Sequence, residues 1–275
     1  MAKKVALTVA GSDSSGGAGI QADLKAFQLA GVEGASVITC CVAENTQKVY
    51  EIAPLSPDFV AAQIRSVFED LDPSSTKTGM LYSKEIVEVV SSSLKKYRVN
   101  PVVDPVLIAT VGDRLSKKNL VEALTEHLIP LARIITPNTW EARELTNIEI
   151  KTLEDARKAS EKLRDLGVKR VLIKGIRDPK GYASDLLFDG DRFHTLSLPE
   201  LNLEVHGTGC AFSALIVGNL ARGIELIGAI TLAKGIVWLM MKHSRKLGKG
   251  VMMLNFDVPS AYPLPNVIKS VDESR

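Results

Sequence analysis

Short apolar runs alternate with segments of helical period along most of this chain, and nearly every run closes on a glycine, a proline or a small polar residue. That alternation leaves few architectures open. Runs that are apolar throughout suit strands covered on both faces, and such strands are parallel ones joined by crossover helices. Strands are predicted at Val5–Ala10, Ala35–Val42, Ser75–Met80, Pro101–Asp104, Ile134–Thr136 and Arg170–Lys174. Helices are predicted at Ile20–Leu29, Pro57–Leu71, Lys84–Tyr97, Lys118–Leu131, from Trp140, and at Leu153–Leu166. The fold class that follows is α/β, an open and mostly parallel sheet with right-handed crossovers.

The pattern changes after Lys174. Ser184–Phe188, Arg192–Leu198 and Leu203–His206 read as short strands joined by Asp189-Gly190 and a Pro199 loop, a small antiparallel segment in the C-terminal half. Two apolar helices follow, at Cys210–Arg222 and Leu226–Lys246. Arg222, Glu225 and Lys234 interrupt that apolar stretch, which fits buried helices better than membrane spans. With 275 residues and 45% hydrophobic content, the chain can bury one large core, so a single domain is expected over 1–275, with 260–275 as a surface tail.

Charge narrows the function classes. Lys plus Arg number 34 against 32 Asp plus Glu, with no basic block, which argues against a nucleic-acid partner. The apolar run near the start, Val5–Ala10, is short for a signal peptide, and a membrane partner is not expected. Three cysteines, two of them adjacent as Cys40-Cys41, make no disulfide framework or zinc site and point to a reducing, cytoplasmic setting.

Ligands of an open parallel sheet bind beyond the carboxyl ends of its strands. The residues placed there are GSDSSGGAG (11–19), Glu44-Asn45-Thr46, Gly79-Met80, Asp104-Pro105, Pro137-Asn138 with Glu141, Lys174-Gly175, and His206-Gly-Thr-Gly-Cys210. Turns favour glycine, proline, asparagine and aspartate, so any one of these could be an ordinary turn, but the whole set is less easily dismissed. Gly17-Ala-Gly19-Ile-Gln-Ala22 matches G-x-G-x-x-A, yet Gly11–Gly16 separate it from its strand and no acid sits about 20 residues on at a strand end. With no G-x-x-x-x-G-K-[ST] either, neither a Rossmann nor a Walker A site is expected.

The last loop carries more. Gly207, Thr208 and Gly209 would open a helix whose free N–H groups favour developing phosphoryl charge. The alternative is a tight glycine turn against the sheet. Cys210 on its own could be a small buried hydrophobe, but at a helix N-terminus its thiol is expected to titrate below about 8.5. Asp104, Glu141 and Asn138 offer oxygen ligands of the kind Mg²⁺ takes, and Lys174 could hold a phosphate. Read structurally, Asn138 would be a helix N-cap and Glu141 a first-turn acid. His127, His194 and His243 lie in patterns that suggest no partner and read as structural or solvated.

In order, AGSDSSGGAGIQADLK (10–25), VAENT (42–46), KTGML (77–81), VVDPV (102–106), ITPNTWEA (135–142), LIKG (172–175), DLLFDG (185–190) and HGTGC (206–210) resemble the hydroxymethylpyrimidine/phosphomethylpyrimidine kinases of thiamine biosynthesis, within the ribokinase-like superfamily. The resemblance covers about 4–250. It implies a three-layer αβα sandwich and a kinase that uses ATP and Mg²⁺. Such a kinase phosphorylates 4-amino-5-hydroxymethyl-2-methylpyrimidine and then its monophosphate. Carried over, Cys210 is the base where most of the superfamily has Asp, and Gly207, Thr208 and Gly209 form the anion hole. Asn138, Lys174 and Thr208 bind ATP, while Glu141 and Asp104 lie at the metal. Gly11, Gly19, Asp23, Glu44, Met80 and Leu107 take the pyrimidine. The expected partners are ATP and a small pyrimidine alcohol, with a homodimer or higher homo-oligomer as the assembly.

Three departures from the family pattern bear on the substrate. Glu44 stands where Gln is common, and an ionised carboxylate only accepts hydrogen bonds. Thr110-Val111 replaces Lys-Ser, and Val251-Met-Met-Leu254 replaces Gly-Pro-x-His. Two other readings are a pyridoxal-type kinase of the same fold and a non-catalytic ligand-binding homologue.

Overall fold

A computed structural model describes residues 4–107, 119–258 and 263–270. In chain order the elements are β1 (Val5–Asp13), α1 (Gly19–Leu29), β2 (Glu33–Glu44), β3 (Val49–Pro54), α2 (Pro57–Asp70), β4 (Ser75–Thr78), α3 (Lys84–Lys96), β5 (Val102–Val103), α4 (Leu120–Ala123), β6 (Ile134–Ile135), α5 (Thr139–Thr146), α6 (Leu153–Asp165), β7 (Val171–Arg177), β8 (Tyr182–Phe188), β9 (Phe193–Pro199), β10 (Val205–His206), α7 (Thr208–Ala221), α8 (Leu226–Lys242), β11 (Met252–Met253) and β12 (Asn266–Ser270). The main sheet has the order β12-β9-β8-β7-β6-β5-β4-β1-β2-β3. Its middle, from β2 to β7, is parallel. Both edges turn antiparallel.

The uniform apolar runs are explained by the layers. Alternate residues of each central strand face opposite cores. Leu7, Val9, Val103, Ile135 and Ile173 pack with the helices α2 to α6 on one side. Ala6, Val102, Ile134 and Leu172 pack with α1, α7 and α8 on the other. Helix α7 is buried almost all round, which is why its sequence lacks a polar stripe. None of the helices among the described residues is long and apolar enough to cross a membrane.

Several sequence expectations need correction. Strand β3 was not foreseen: it is a half-exposed edge strand paired to β2, with Tyr50 and Glu51 outward, so it lacks the apolar signature of the central strands. Strand β1 continues through Gly11 to Asp13, with a register shift between Ala10 and Ser12. The strand ending at His206 does not join the antiparallel segment, because β10 pairs in parallel with β11, apart from the main sheet. The Lys118–Leu131 helix is α-helical only at α4, then widens to a π turn at Leu124–Leu128 and tightens to a 3₁₀ turn before β6. Helix α8 stops at Lys242, short of Lys246. The tail is more than a surface wrap, since β12 adds an antiparallel strand to β9. Lys118, Thr110-Val111 and the rest of 108–118 lie outside the described residues, as do 259–262 and 271–275.

Candidate active site

A cleft of about 580 Å³ opens at the carboxyl ends of the parallel strands. It gathers Gly11, Gly19, Glu44, Met80, Asp104, Asn138, Glu141, Lys174 and the Gly207–Cys210 turn from far apart in the sequence. Two expected residues do not line it. Asp23 is fully buried beneath the floor, where it accepts from Lys77 Nζ at 2.7 Å and Thr8 Oγ1 at 2.6 Å. Leu107 packs into the core of the α2–α6 side, and its neighbour Val106 faces the cleft instead.

The first loop is organised by a residue that spacing alone did not single out. Asp13 accepts from the amides of Ser15, Gly17 and Ala18 at 2.6, 3.0 and 2.7 Å, and His206 Nε2 lies 3.1 Å away. Burial works against its charge, but the bonds from His206, Ser15 and Ala18 outweigh that and hold the carboxyl well below the usual carboxylate range. His206 therefore ties the first loop to the last one. Glu44 Oε2 stands 4.0 Å from the same ring nitrogen.

Gly207 begins α7 in a left-handed conformation with φ of 85°. The turn this makes leaves the first amides of α7 without intrahelical carbonyls, facing the cleft. Cys210 lies in this first turn, yet its thiol does not behave as the helix terminus alone predicts. Burial pushes it up to about 12, against the pull of Lys77 and the Gly19 amide, with Asp23 and Asp104 adding to the rise. The expected fall below about 8.5 is overturned because desolvation of a thiolate outweighs a half-charge at a helix end.

Beside Cys210 sits a line of alternating charge. Lys174 Nζ is 2.9 Å from Asp104 Oδ1, and Ser213 Oγ donates to Asp104 Oδ2 at 3.0 Å. Burial opposes the Lys174 charge, but Asp104 and Glu141 outweigh it and raise its pKa. Asn138 and Glu141 form a reciprocal capping box at the start of α5: Glu141 N donates to Asn138 Oδ1 at 2.8 Å, and Asn138 N donates to Glu141 Oε2 at 2.9 Å. The cap and the candidate ligand set are thus the same residues. Burial lifts the Glu141 carboxyl to about 7, with Lys174 opposing and Asp104 adding to the rise. The buried carboxylate oxygens of Asp104 and Glu141, with the Asn138 amide oxygen beside them, are hard donors of the kind a divalent cation such as Mg²⁺ takes.

The far end of the cleft was not foreseen. Leu198, Leu203, Val237, Trp238 and Met241 make an apolar slot, and Trp238 Nε1 donates to the Pro199 carbonyl at 2.8 Å. Between that slot and Lys174, Lys234 Nζ meets Asp185 Oδ2 at 2.7 Å, and Asp185 Oδ1 accepts from Gly175 N. A lone lysine in the apolar run of α8 was the available signal for this pair. His194 is not partnerless as expected, since its Nε2 lies 2.6 Å from Asp189 Oδ2. His127 has Glu88 and Glu126 nearby, while His243 is exposed.

Comparison with known proteins places the chain in a family. The family described as phosphomethylpyrimidine kinase matches residues 13–255. The hydroxymethylpyrimidine/phosphomethylpyrimidine kinase of Aquifex aeolicus is 42% identical, over 92% of this chain and all of that protein. A phosphomethylpyrimidine kinase structure from Clostridium difficile is 43% identical, with a TM-score of 0.75 over 84% of this chain and 96% of that one. The pyridoxal kinase of Staphylococcus aureus, in complex with AMP-PCP and pyridoxal, superimposes with a TM-score of 0.89 at 30% identity, over 98% of this chain and all of that one. Backbone likeness is therefore greater to the pyridoxal enzyme and sequence likeness to the pyrimidine enzymes, and side chains rather than the fold decide chemistry. On the matched residues and the identities, this chain belongs to the phosphomethylpyrimidine kinase family.

Proposed function

We propose that the protein is an ATP-dependent kinase of thiamine biosynthesis that phosphorylates 4-amino-5-hydroxymethyl-2-methylpyrimidine and then its monophosphate to the diphosphate. The observation that carries this reading is the placement of Cys210 and the α7 amides between two different ends of one cleft. One end, with Gly11, Gly19, Glu44 and Met80, suits a small flat heterocycle. The other, with its apolar slot beyond Lys174 and Lys234, suits a nucleotide.

Phosphoryl transfer is mostly positioning and charge neutralisation. In this site Lys174 and the amides opening α7 would draw charge from the transferred group. Asp104 and Glu141 would hold Mg²⁺, which when bound neutralises phosphate charge. The hydroxymethyl oxygen forms the new O–P bond as the bond from the γ-phosphorus to its bridging oxygen breaks, and ADP departs with that electron pair. The hydroxyl proton passes to a Cys210 thiolate, and the resulting thiol later returns it to water. Glu44 would accept from the exocyclic amino group of the pyrimidine, and it can pair with a ring nitrogen only if that nitrogen carries a proton.

The pyridoxal reading rests on the closer backbone match to the Staphylococcus aureus enzyme. Measuring ATP turnover with both alcohols, and resolving mono- from diphosphate, separates the two. The pyrimidine alcohol is expected to be preferred, and a strong preference for pyridoxal would overturn the assignment. Protein silent with ATP and every such alcohol would instead support the non-catalytic homologue.

Glu44→Gln offers a finer test. An amide both accepts from the amino group and donates to an unprotonated ring nitrogen, so the variant is expected to keep or lower the KM for the pyrimidine. A KM raised more than about tenfold, a loss of roughly 1.4 kcal/mol, would mean that the carboxylate itself is required.

A further inference from the structure

Lys77 is the third residue of β4 and has no exposed surface. Its Nζ lies 2.7 Å from Asp23 Oδ1 and donates to the carbonyl oxygen of Cys210 at 3.3 Å. Asp23 in turn accepts from Thr8, so the ammonium is tied to α1, to β1 and to the first turn of α7. Two features of this arrangement run against stability. A cation near a helix N-terminus opposes the helix dipole. A wholly buried ion pair also pays a large desolvation penalty, and well-packed apolar residues in its place are often as stable or more so. Negative charge in the cleft above would compensate both.

We propose that Lys77 is a positioning residue for phosphoryl transfer, which fixes the first turn of α7 through the Cys210 carbonyl and supplies the positive charge that a Cys210 thiolate faces. The second half of this rests on the reading of Cys210 as the base. The charged and titratable groups around Lys77 are Asp23 on α1, Asp104 after β5 and Cys210 on α7, with Lys174 on β7 beyond Asp104. Lys174 is committed to Asp104 at 2.9 Å, whereas Lys77 is the cation that donates to the Cys210 carbonyl, which also accepts from Ser213 Oγ at 3.1 Å. Lys77 is also the principal group that favours the thiolate against burial, and its own charge is kept by Asp23.

The test is Lys77→Met in the full chain. Turnover is expected to fall by at least about 100-fold, the cost of a small misplacement of reacting groups, with KM for ATP and for the alcohol within about threefold. A second readout needs neither substrate nor turnover: iodoacetamide alkylation followed by mass spectrometry at pH 9. Cys210 is expected to react at least about tenfold more slowly in the variant, as for one unit of pKa, while exposed Cys41 reacts as in the wild type. A merely structural lysine would not move one thiol and spare the other. Should Lys77→Met fail to fold, Lys77→Met/Asp23→Asn removes the unpaired buried charge and is expected to give the same two losses. Turnover within threefold of wild type in a folded variant, or equal alkylation of Cys210 with and without Lys77, overturns the proposal. If Cys210→Ala proves active, the base reading falls, and the alkylation ratio still decides whether Lys77 governs the thiol.

Discussion

Cys210→Ala is expected to lower turnover by about 10²–10⁴-fold, the usual worth of a general base, with the KM for ATP changed by less than about threefold. The side chain is small, sits in the first turn of α7, and leaves the amides and Lys174 in place when truncated. Its pH signature is more telling than the size of the loss. Burial places the thiol at about 12 in the free protein, so the neutral thiol predominates at pH 7 and the thiolate fraction grows about tenfold per pH unit. Since kcat/KM reports ionisations of the free enzyme, it is expected to climb with near-unit slope between about pH 8 and 10, above the range in which Glu141 ionises at about 7. In Cys210→Ala that slope disappears. Near-wild-type turnover in the alanine variant, with the same pH profile as the parent, would rule out the base role. In the proposed base role, the high pKa would work in the cysteine's favour once it is deprotonated. When deprotonated it is a strong base, and Lys77 and the Gly19 amide partly offset the rarity of that form.

The parallel half of the fold was legible because burial on both faces writes itself as continuous apolar runs. Even β5 and β6, two residues each, were marked by the polar turns that follow them. Edge strands carry no such mark: β3 is half solvated, and β12 lies in a stretch whose prolines read as tail. Most of the cleft was legible too, since strand ends in a parallel sheet converge on one edge. What escaped was whatever depends on partners far apart in the chain. Lys77 and Asp23 are separated by 54 positions, and nothing local says that a strand lysine turns inward to meet a helix aspartate. Asp13 looked like one more loop acid, and only the fold shows it collecting three amides and His206. The thiol was misjudged for a related reason. A helix N-terminus can be read from sequence, whereas the protein atoms that strip water from a half-buried thiol there cannot. Asn138 and Glu141 were read either as a cap or as ligands, and the capping box makes both compatible, since it fixes the donors that would face a cation.

Gly207→Ala is expected to be nearly as damaging as loss of the thiol, although it removes no chemical group. At φ of 85° an alanine in the left-handed region costs about 1–2 kcal/mol. The larger problem is steric. A Cβ at Gly207 would run into the carbonyl of Gly17 and crowd Ala18 at 3.4 Å, so the two loops that His206 and Asp13 hold together would have to part. Overpacking of that kind typically costs a further 1–3 kcal/mol or so. Backbone, not a flexible side chain, is what must move, and the amides opening α7 move with it. A shift near 1 Å at such a point is worth about 100-fold in rate. The variant is therefore expected to unfold at a lower temperature and, while still folded, to lose at least about 100-fold in kcat with both substrates saturating. Circular dichroism melts paired with kcat below the transition separate the two effects. A folded variant whose kcat stays within about twofold of the parent would show that the amides of this turn do not contribute to transfer.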